Sequence, residues 1–163
     1  MSRPIDAERA LAALADQLGD IARSRPEPAV IGIHTGGAWV AERLHDSLGL
    51  TTPLSTLNIG FHRDDFARIG LHPRVGPSRI AAEIEDRCIL LVDDVLQTGR
   101  TVRAAMNEIF DYGRPAAIRL AVLFDRGCRE LPIAADYVGE RIDVPADRRL
   151  KLSGPRPLVM EER

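Results

Sequence analysis

The feature that most constrains this chain is a four-residue apolar run, 89–92, that leads directly into Asp93 and Asp94. A short polar loop, 97–101, comes next, and apolar residues then recur at the spacing of an amphipathic helix. This order predicts a buried strand that ends at the two carboxylates, followed by a loop and a helix. Because a helix N-terminus attracts anions and carboxylates can bind sugar hydroxyls, a phosphorylated sugar would suit the element.

The same strand and helix patterns recur along the chain. We predict helices over about 6–23, 40–48 and 102–110, and strands over about 29–33, 57–61, 88–92 and 118–124. Asp6 is the expected N-cap of the first helix. The alternation predicts an α/β fold with a parallel sheet, in which ligands bind beyond the carboxyl ends of the strands. The loops that follow such ends, 34–37, 93–101 and 125–129, should therefore converge on one rim.

Length and charge narrow the class of protein. The chain has 163 residues, 45% of them apolar, and a formal charge of −2 from 22 basic and 24 acidic residues. These values predict a single soluble domain over 1–163 and argue against a protein built mainly to coat nucleic acid. No apolar run is long enough to span a membrane and no signal-peptide pattern is present, so we expect a cytoplasmic protein without membrane contact. Cys88 and Cys128 have neither metal-type nor redox-type spacing.

One long segment, 62–79, has little periodicity. It contains four arginines, two histidines, two glycines and two prolines. So long an irregular segment is unusual inside a compact domain. A functional lid and an extended hairpin are both consistent with it.

The residues after Asp93 and Asp94 distinguish a binding site from a solvated turn, which the two aspartates alone would also fit. Thr98 and Thr101 supply hydroxyl donors, Gly99 permits close approach of the backbone, and Arg100 adds positive charge. The loop is neither a Walker A loop nor a Gly-x-Gly-x-x-Gly dinucleotide motif.

Residues 92–101 read Val-Asp-Asp-Val-Leu-Gln-Thr-Gly-Arg-Thr. This run resembles the phosphoribosyl diphosphate (PRPP) signature of type I phosphoribosyltransferases, and in this form it is particularly similar to the PyrR family of pyrimidine operon attenuation regulators and uracil phosphoribosyltransferases. Further similar segments lie at 61–65, 102–104, 113–115, 120–123, 125–127, 129–133 and 135–139. The resemblance covers about 6–144, and it implies a three-layer α/β fold with a central, mainly parallel sheet, a flexible loop at 62–79 and a small hood.

The resemblance also implies roles for individual residues. Asp93 and Asp94 would bind the ribose hydroxyls and stabilise developing positive charge, and Arg63 on the flexible loop would reach the diphosphate. Mg²⁺ would be held through PRPP, with the same two aspartates as the candidate protein ligands. The implied substrate-binding residues are Thr35, Gly36 and Gly37 at the diphosphate, Gln97, Thr98, Gly99, Arg100 and Thr101 around the 5-phosphate, Arg126 near the base, and in addition Val95, Leu96 and Val138.

Plainer interpretations remain open for several of these residues. Arg63 could be a solvated arginine on a mobile loop, and Arg126 could make a structural salt bridge. His34 follows a strand, where a packing or hydrogen-bonding role is more common than general-base chemistry. Trp39 and Tyr112 are interpreted as core or subunit-contact residues rather than as stacking platforms for nucleic acid.

The sequence departs from the family pattern at two places. The diphosphate loop usually reads Thr-Arg-Gly, whereas Gly36 replaces the arginine here. A charge-assisted contact of that kind contributes about 1.5–3 kcal/mol, so its absence could slow transfer about ten- to a hundredfold or more. In addition, Cys128, Ala134 and Glu140 stand where a histidine, an arginine and a lysine usually help to form the RNA-binding face, which weakens the expected attraction for RNA.

Three functions follow as hypotheses. The first is a Mg²⁺-dependent enzyme that makes UMP and diphosphate from uracil and PRPP, with a possible regulatory role on pyrimidine genes. The second is a catalytically weak regulator that senses a uridine nucleotide and acts on RNA or a protein partner. The third is a phosphoribosyltransferase for another base. The resemblance also implies a homodimer or homotetramer.

Overall fold

The computed structural model describes residues 5–60 and 77–163. Its centre is a five-stranded sheet in the order β2-β1-β3-β4-β5, in which every neighbouring pair is parallel. The strands are β1 (Ala29–Ile33), β2 (Ser55–Leu57), β3 (Cys88–Leu96), β4 (Ala117–Asp125) and β5 (Tyr137–Arg141). The predicted α/β class with a parallel sheet is confirmed.

Helices cover both faces of this sheet and make the predicted three layers. They are α1 (Ala7–Gln17), α2 (Gly19–Arg23), α3 (Gly36–Ser47) and α4 (Arg100–Tyr112). Side chains alternate along β3, so Leu90 and Val92 pack into the core beneath α1 and α3. Ile89 and Leu91 point the other way, into the core beneath α4. No helix within residues 5–60 and 77–163 is long and apolar enough to cross a membrane.

The first helix is shorter than predicted. Asp6 is its N-cap as expected, since the carboxylate accepts a hydrogen bond from the backbone N–H of Arg9 at 3.0 Å. The prediction of one helix over 6–23 was wrong, because α1 ends at Gln17 and the separate helix α2 begins at Gly19. Between them the N–H of Leu18 is shared by the carbonyls of Leu14 and Ala15, a tightening that ends the regular α-helical ladder.

Two strand ends also differ from prediction. Strand β3 does not end at Asp93 and Asp94 but pairs with β4 as far as Leu96, so both carboxylates lie within the ladder. Strand β2 ends at Leu57, because Leu57 pairs with Ile33 and β1 itself ends there. The N–H of Asn58 lies on the other side of the strand and donates to Ser78 Oγ at 2.8 Å. The predicted strand over 57–61 was therefore wrong within the described residues, and Phe61 lies outside them.

The C-terminal residues form a small antiparallel hairpin, β6 (Leu150–Ser153) and β7 (Val159–Glu162). It packs beside α1 and α3 through Leu152, Leu158 and Met160, which are buried in the same core as Leu90. This hairpin is where we locate the predicted small hood.

A charged contact holds the hairpin to the rest of the fold. The carboxylate of Glu8 in α1 accepts two hydrogen bonds from Arg43 in α3, at 2.8 and 2.9 Å, and one from the N–H of Leu158 at 2.7 Å. The bond from Arg43, followed by that from Leu158, lowers the pKa of Glu8 from 4.5 to about 2. The ionised carboxylate therefore stabilises the fold fully above pH 4.5, and this stabilisation is lost as the pH falls towards 2.

We predict that Glu8→Gln lowers the free energy of unfolding at pH 7 by about 1 kcal/mol, the upper end for partly exposed ion pairs. Urea denaturation at a series of pH values should show the difference from the unsubstituted protein shrinking between pH 4.5 and pH 2. Asp20→Asn is the matched control, since its pair with Arg23 lies in solvent, and it should change stability by less than about 0.5 kcal/mol. A Glu8→Gln difference that stays constant over this pH range would contradict the assignment.

Candidate active site

The two aspartates lie at the carboxyl end of the central strand. Asp93 is buried, with 4% of its surface exposed, and Asp94 is half-buried. Asp93 Oδ1 accepts the backbone N–H of Asp94 at 2.9 Å, and Asp94 Oδ1 accepts the N–H of Val95 at 2.9 Å. Both carboxylates approach the start of α3, since a Cβ on Gly37 would be 3.2 Å from Asp93 Oδ1 and a Cβ on Gly36 would overlap the carboxylate of Asp94.

The loop after β3 turns sharply into helix α4. Thr98 Oγ1 accepts the N–H of Arg100 at 3.2 Å, and Gly99 has φ +91°, which only a glycine adopts without strain. Gly99 is the N-cap of α4 and makes no side-chain capping bond, so the N–H groups that follow that of Arg100 in the first turn, those of Thr101 and Val102, are available to an anion. Arg100 adds a guanidinium at this point, and its Nε is paired with Glu130 at 2.6 Å.

A cavity of about 540 Å³ lies between this loop and the hairpin. Asp93 lines this cavity, and so do all residues of the predicted phosphate loop, 97–101. Arg126 lies on the opposite wall together with residues from the turn before β6. The lining residues are Asp93, Val95, Leu96, Gln97, Thr98, Gly99, Arg100, Thr101, Val102, Arg126, Ala146, Arg148, Arg149 and Leu150.

The other predicted loop, 35–37, lies directly behind the end of β3. A Cβ placed on Gly37 would be 2.7 Å from the carbonyl oxygen of Val92 and 2.9 Å from Cα of Asp93. A Cβ on Gly36 would overlap the carboxylate of Asp94, with Cγ at 2.7 Å. The start of α3 therefore touches the backbone that carries both aspartates. Thr35, Gly36, Gly37 and the predicted catalytic residue Asp94 do not line the 540 Å³ cavity. Gly36 and Gly37 contact Asp94 and the backbone of Asp93, and Asp93 does line it.

His34 closes β1 immediately before this loop. Its backbone N–H donates to the carbonyl of Leu57 at 2.9 Å, which ties the end of β1 to β2. Burial lowers the pKa of the His34 side chain below its usual value of 6.5, so the imidazole is neutral at pH 7.

Arg126 both lines the cavity and clamps one of its walls. Only 7% of its surface is exposed. Its Nη1 donates to the carbonyl of Arg148 at 3.0 Å, and its Nη2 donates to those of Pro145 at 2.9 Å and Val144 at 3.4 Å. These three partners are backbone carbonyls rather than a carboxylate. The turn over 144–148 is thereby fixed against the end of β4.

One more of the predicted residues, Val138, lies apart from this cavity. Val138 is in β5, where its carbonyl accepts a bond from Gln17 Nε2 at 2.7 Å, and it is not part of the cavity wall. Arg63 lies outside the described residues. Trp39 is half-buried beside the core beneath α1 and α3, and Tyr112 at the end of α4 is exposed.

Sequence reasoning missed two features of the site. Arg148 and Arg149 line the hairpin side of the cavity. They belong to a polar turn in the sequence, and such a turn does not predict where its side chains lie in the fold. The second feature is the role of Asp125: the loop 125–129 was expected on the rim, but no function was assigned to this carboxylate, which ends β4 and is only 5% exposed. Burial raises the pKa of Asp125, but bonds from Arg129 and the N–H of Gly127 and the nearby charges outweigh it and lower that pKa. The strand-end position was the signal that could have found it.

The departures from the family pattern have structural counterparts. Glu140 accepts two hydrogen bonds from the guanidinium of Arg9, at 2.8 and 2.9 Å, so its negative charge is compensated within the fold. Cys128 is exposed in the turn after β4, with φ +58°. Residues 5–60 and 77–163 contain no group of three or more His, Cys, Asp or Glu side chains that could hold a metal ion by themselves.

Comparison with known proteins agrees with this geometry. The family model described as the phosphoribosyl transferase domain matches residues 5–149. A relative named bifunctional protein PyrR from Nitrosococcus oceani is 59% identical over 138 residues, which cover 83% of this chain and 78% of the relative. A relative of the same name from Pseudomonas putida is 48% identical over 162 residues, 99% of this chain and 94% of the relative.

Solved structures agree on the fold. A hypoxanthine-guanine phosphoribosyltransferase from Bacillus anthracis superposes with a TM-score of 0.67 at 17% identity, over 87% of this chain and 85% of that chain. A purine phosphoribosyltransferase from Pyrococcus horikoshii superposes with a TM-score of 0.60 at 25% identity, over 84% of this chain and 83% of that chain.

We predict that Gly37→Ala lowers the free energy of unfolding by about 1–3 kcal/mol, because the added methyl meets backbone atoms that cannot rotate away. Chemical denaturation measures the change. Gly19→Ala is the control: its new methyl would be 3.4 Å from the nearest heavy atom, the flexible end of Arg23, and helix propensity should leave the protein as stable or more so. Equal stability of the Gly37→Ala variant and the unsubstituted protein would show that the two backbones can separate.

Proposed function

Because this chain belongs to the PyrR group of the phosphoribosyl transferase family, we propose that it transfers the 5-phosphoribosyl group of PRPP to uracil, giving UMP and diphosphate. The observation that supports this most is that a buried carboxylate, Asp93, and the whole loop 97–101 line the same cavity. That arrangement suits a sugar bearing a phosphate. The choice of uracil as the acceptor rests on the resemblance to the PyrR family.

The ribose 5-phosphate half of PRPP fits the cavity by charge and by hydrogen-bonding capacity. The carboxylate of Asp93 would accept hydrogen bonds from a ribose hydroxyl. The N–H groups at the start of α4 and the hydroxyls of Thr98 and Thr101 would donate to the 5-phosphate. Charge-assisted bonds of this type contribute about 1.5–3 kcal/mol each. The base would then lie towards Arg126 and Leu150, on the hairpin side.

The diphosphate half of PRPP would meet the start of helix α3. Thr35, Gly36 and Gly37 would offer backbone N–H groups there, and these would partly compensate for the arginine that the family usually has at 36. Because Gly36 abuts Asp94, this loop and the ribose-binding carboxylates form one continuous surface.

The carboxylates of the site also fit a Mg²⁺ ion that arrives with the substrate. Mg²⁺ is commonly held by one or two carboxylates together with substrate phosphates, and it keeps part of its water shell. Asp93 and Asp94 supply such oxygens at adjacent positions. When bound, Mg²⁺ would offset the charge of the leaving diphosphate.

The protein's contribution to transfer is alignment and charge stabilisation. The bond from ribose C1 to diphosphate breaks, the bond from C1 to the uracil nitrogen forms, and the proton of that nitrogen passes to water. Positive charge develops on the ribosyl carbon meanwhile, and Asp94 would stabilise it. Direct transfer between two bound substrates requires no nucleophile from the protein.

A second function, a nucleotide-sensing regulator, is favoured by one observation. Gly36 leaves the ribose-phosphate cavity intact while removing a cation from the diphosphate side. A protein of this kind would bind UMP firmly and turn over slowly. The internal pairing of Glu140 with Arg9 lowers the positive charge available for RNA and makes binding of RNA the weaker part of that function.

Measuring UMP formation from uracil, PRPP and Mg²⁺ tests the first function against the second. Steady turnover to UMP is the expected result. Tight UMP binding without turnover would contradict the enzyme and favour the sensor. Turnover of another base in preference to uracil would overturn the assignment of the acceptor.

We predict that Asp94→Asn lowers kcat/KM for UMP formation by about a hundredfold, because it removes a fixed negative charge beside the reacting carbon. Asp16→Asn, an exposed change on α1, serves as the control and should leave kcat/KM unaltered. An Asp94→Asn variant with unchanged kcat/KM would remove Asp94 from the mechanism.

A further inference from the structure

Arg129 lies behind the phosphate loop and joins three segments of the chain. Its Nε donates to the carbonyl of Ile133 at 2.8 Å. Its Nη1 donates to the carbonyl of Gln97 at 3.0 Å and to that of Gly127 at 3.3 Å. Its Nη2 donates to the carboxylate of Asp125 at 2.8 Å. All three nitrogens of the guanidinium are therefore engaged, and three of its four acceptors are backbone carbonyls.

The carboxylate that orients Arg129 is itself fixed. Asp125 ends β4 and is buried, and its Oδ1 accepts the N–H of Gly127 at 3.0 Å. Its Oδ2 is shared by Arg129 and by Arg141, whose Nη1 lies at 3.0 Å. The side chain of Arg141 is 74% exposed, so it adds charge from the solvent side. The end of β4 thus anchors the guanidinium of Arg129, which lies in the loop that follows this strand.

The segment that carries Arg129 is also bonded to the phosphate loop by its backbone. The N–H groups of Glu130 and Leu131 donate to the carbonyl of Thr98 at 3.0 and 3.1 Å. A Cβ on Gly99 would be 2.9 Å from Cγ1 of Ile133, so the two segments are in contact there as well. The carbonyls of two consecutive loop residues, 97 and 98, therefore both accept hydrogen bonds from the segment 129–131.

We propose that Arg129 is a positioning residue for the 5-phosphate: by holding the carbonyl of Gln97 it fixes the peptide planes of 97–101, so that their N–H groups point into the cavity. It acts through the loop and does not touch the substrate. This inference rests on the proposed function, because the phosphate concerned is the one shared by PRPP and UMP. The geometry depends on the planar fork of a guanidinium, which a lysine cannot reproduce from a single nitrogen.

The test compares Arg129→Gln and Arg129→Lys with Arg141→Gln. Arg141 shares the carboxylate of Asp125, whereas the bond to the Gln97 carbonyl comes from Arg129, so Arg141→Gln controls for the loss of charge at Asp125. Titration calorimetry measures the Kd of UMP, and steady-state kinetics measures KM for PRPP and for uracil. We expect both Arg129 variants to weaken UMP binding at least about tenfold and to raise KM for PRPP by a similar factor, with little change in KM for uracil. Arg141→Gln should leave all three constants close to those of the unsubstituted protein.

Each other outcome has a defined meaning. If Arg129→Gln does not fold, the Arg129→Lys variant, which keeps a positive charge beside Asp125, decides the question. Unchanged UMP binding in a folded variant, an equal loss in Arg141→Gln, a parallel rise in both KM values, or failure of both Arg129 variants to fold would overturn the positioning role. If the unsubstituted protein binds neither UMP nor PRPP, the proposed function itself fails, which is a distinct result.

Discussion

The site depends on the parallel register between β3 and β4. Asp93 pairs with Val122 and Leu96 pairs with Asp125, so the two strands end at the same level of the sheet. The carbonyl of Leu96 then accepts the N–H of Arg126 at 3.1 Å, which extends the pairing one step beyond the strands. A slip of one residue would turn Asp93 to the other face and separate the phosphate loop from the segment that holds it.

The sequence predicted the chemistry of this edge better than its boundaries. The apolar run before Asp93 and the glycine at 99 were sufficient to predict a strand, a turn and a helix N-terminus, because each local preference agrees with the fold. The strand end could not be predicted, because carboxylates are poor strand residues and only the β4 partner keeps them in the ladder. The division between α1 and α2 was missed for a related reason, since the apolar spacing continues through Leu18 while the hydrogen bonds do not.

Contacts between residues that are far apart in the chain could not be predicted from the sequence. Arg126 was a candidate for the base pocket, and it donates hydrogen bonds to the carbonyls of Pro145 and Arg148, in a turn 19 to 22 residues later in the chain. Arg129 was noticed only as part of a similar segment, and its bond to Gln97 spans 32 positions. Glu140 was interpreted as a residue that weakens the attraction for RNA, and its partner, Arg9, is 131 positions away. In each case the sequence shows the residue type, but only the fold determines the residue's partner.

The hairpin of β6 and β7 connects one wall of the cavity to residues that follow it in the chain. The backbone of Arg163 exchanges two hydrogen bonds with that of Arg149, at 2.7 and 2.8 Å, and Arg149 lines the cavity. The position of this wall therefore depends on the pairing of β6 with β7, which lie in a sheet separate from the central one. A substitution in β7 that loosens the pairing would shift Arg149, and with it this wall of the cavity, without touching the central sheet.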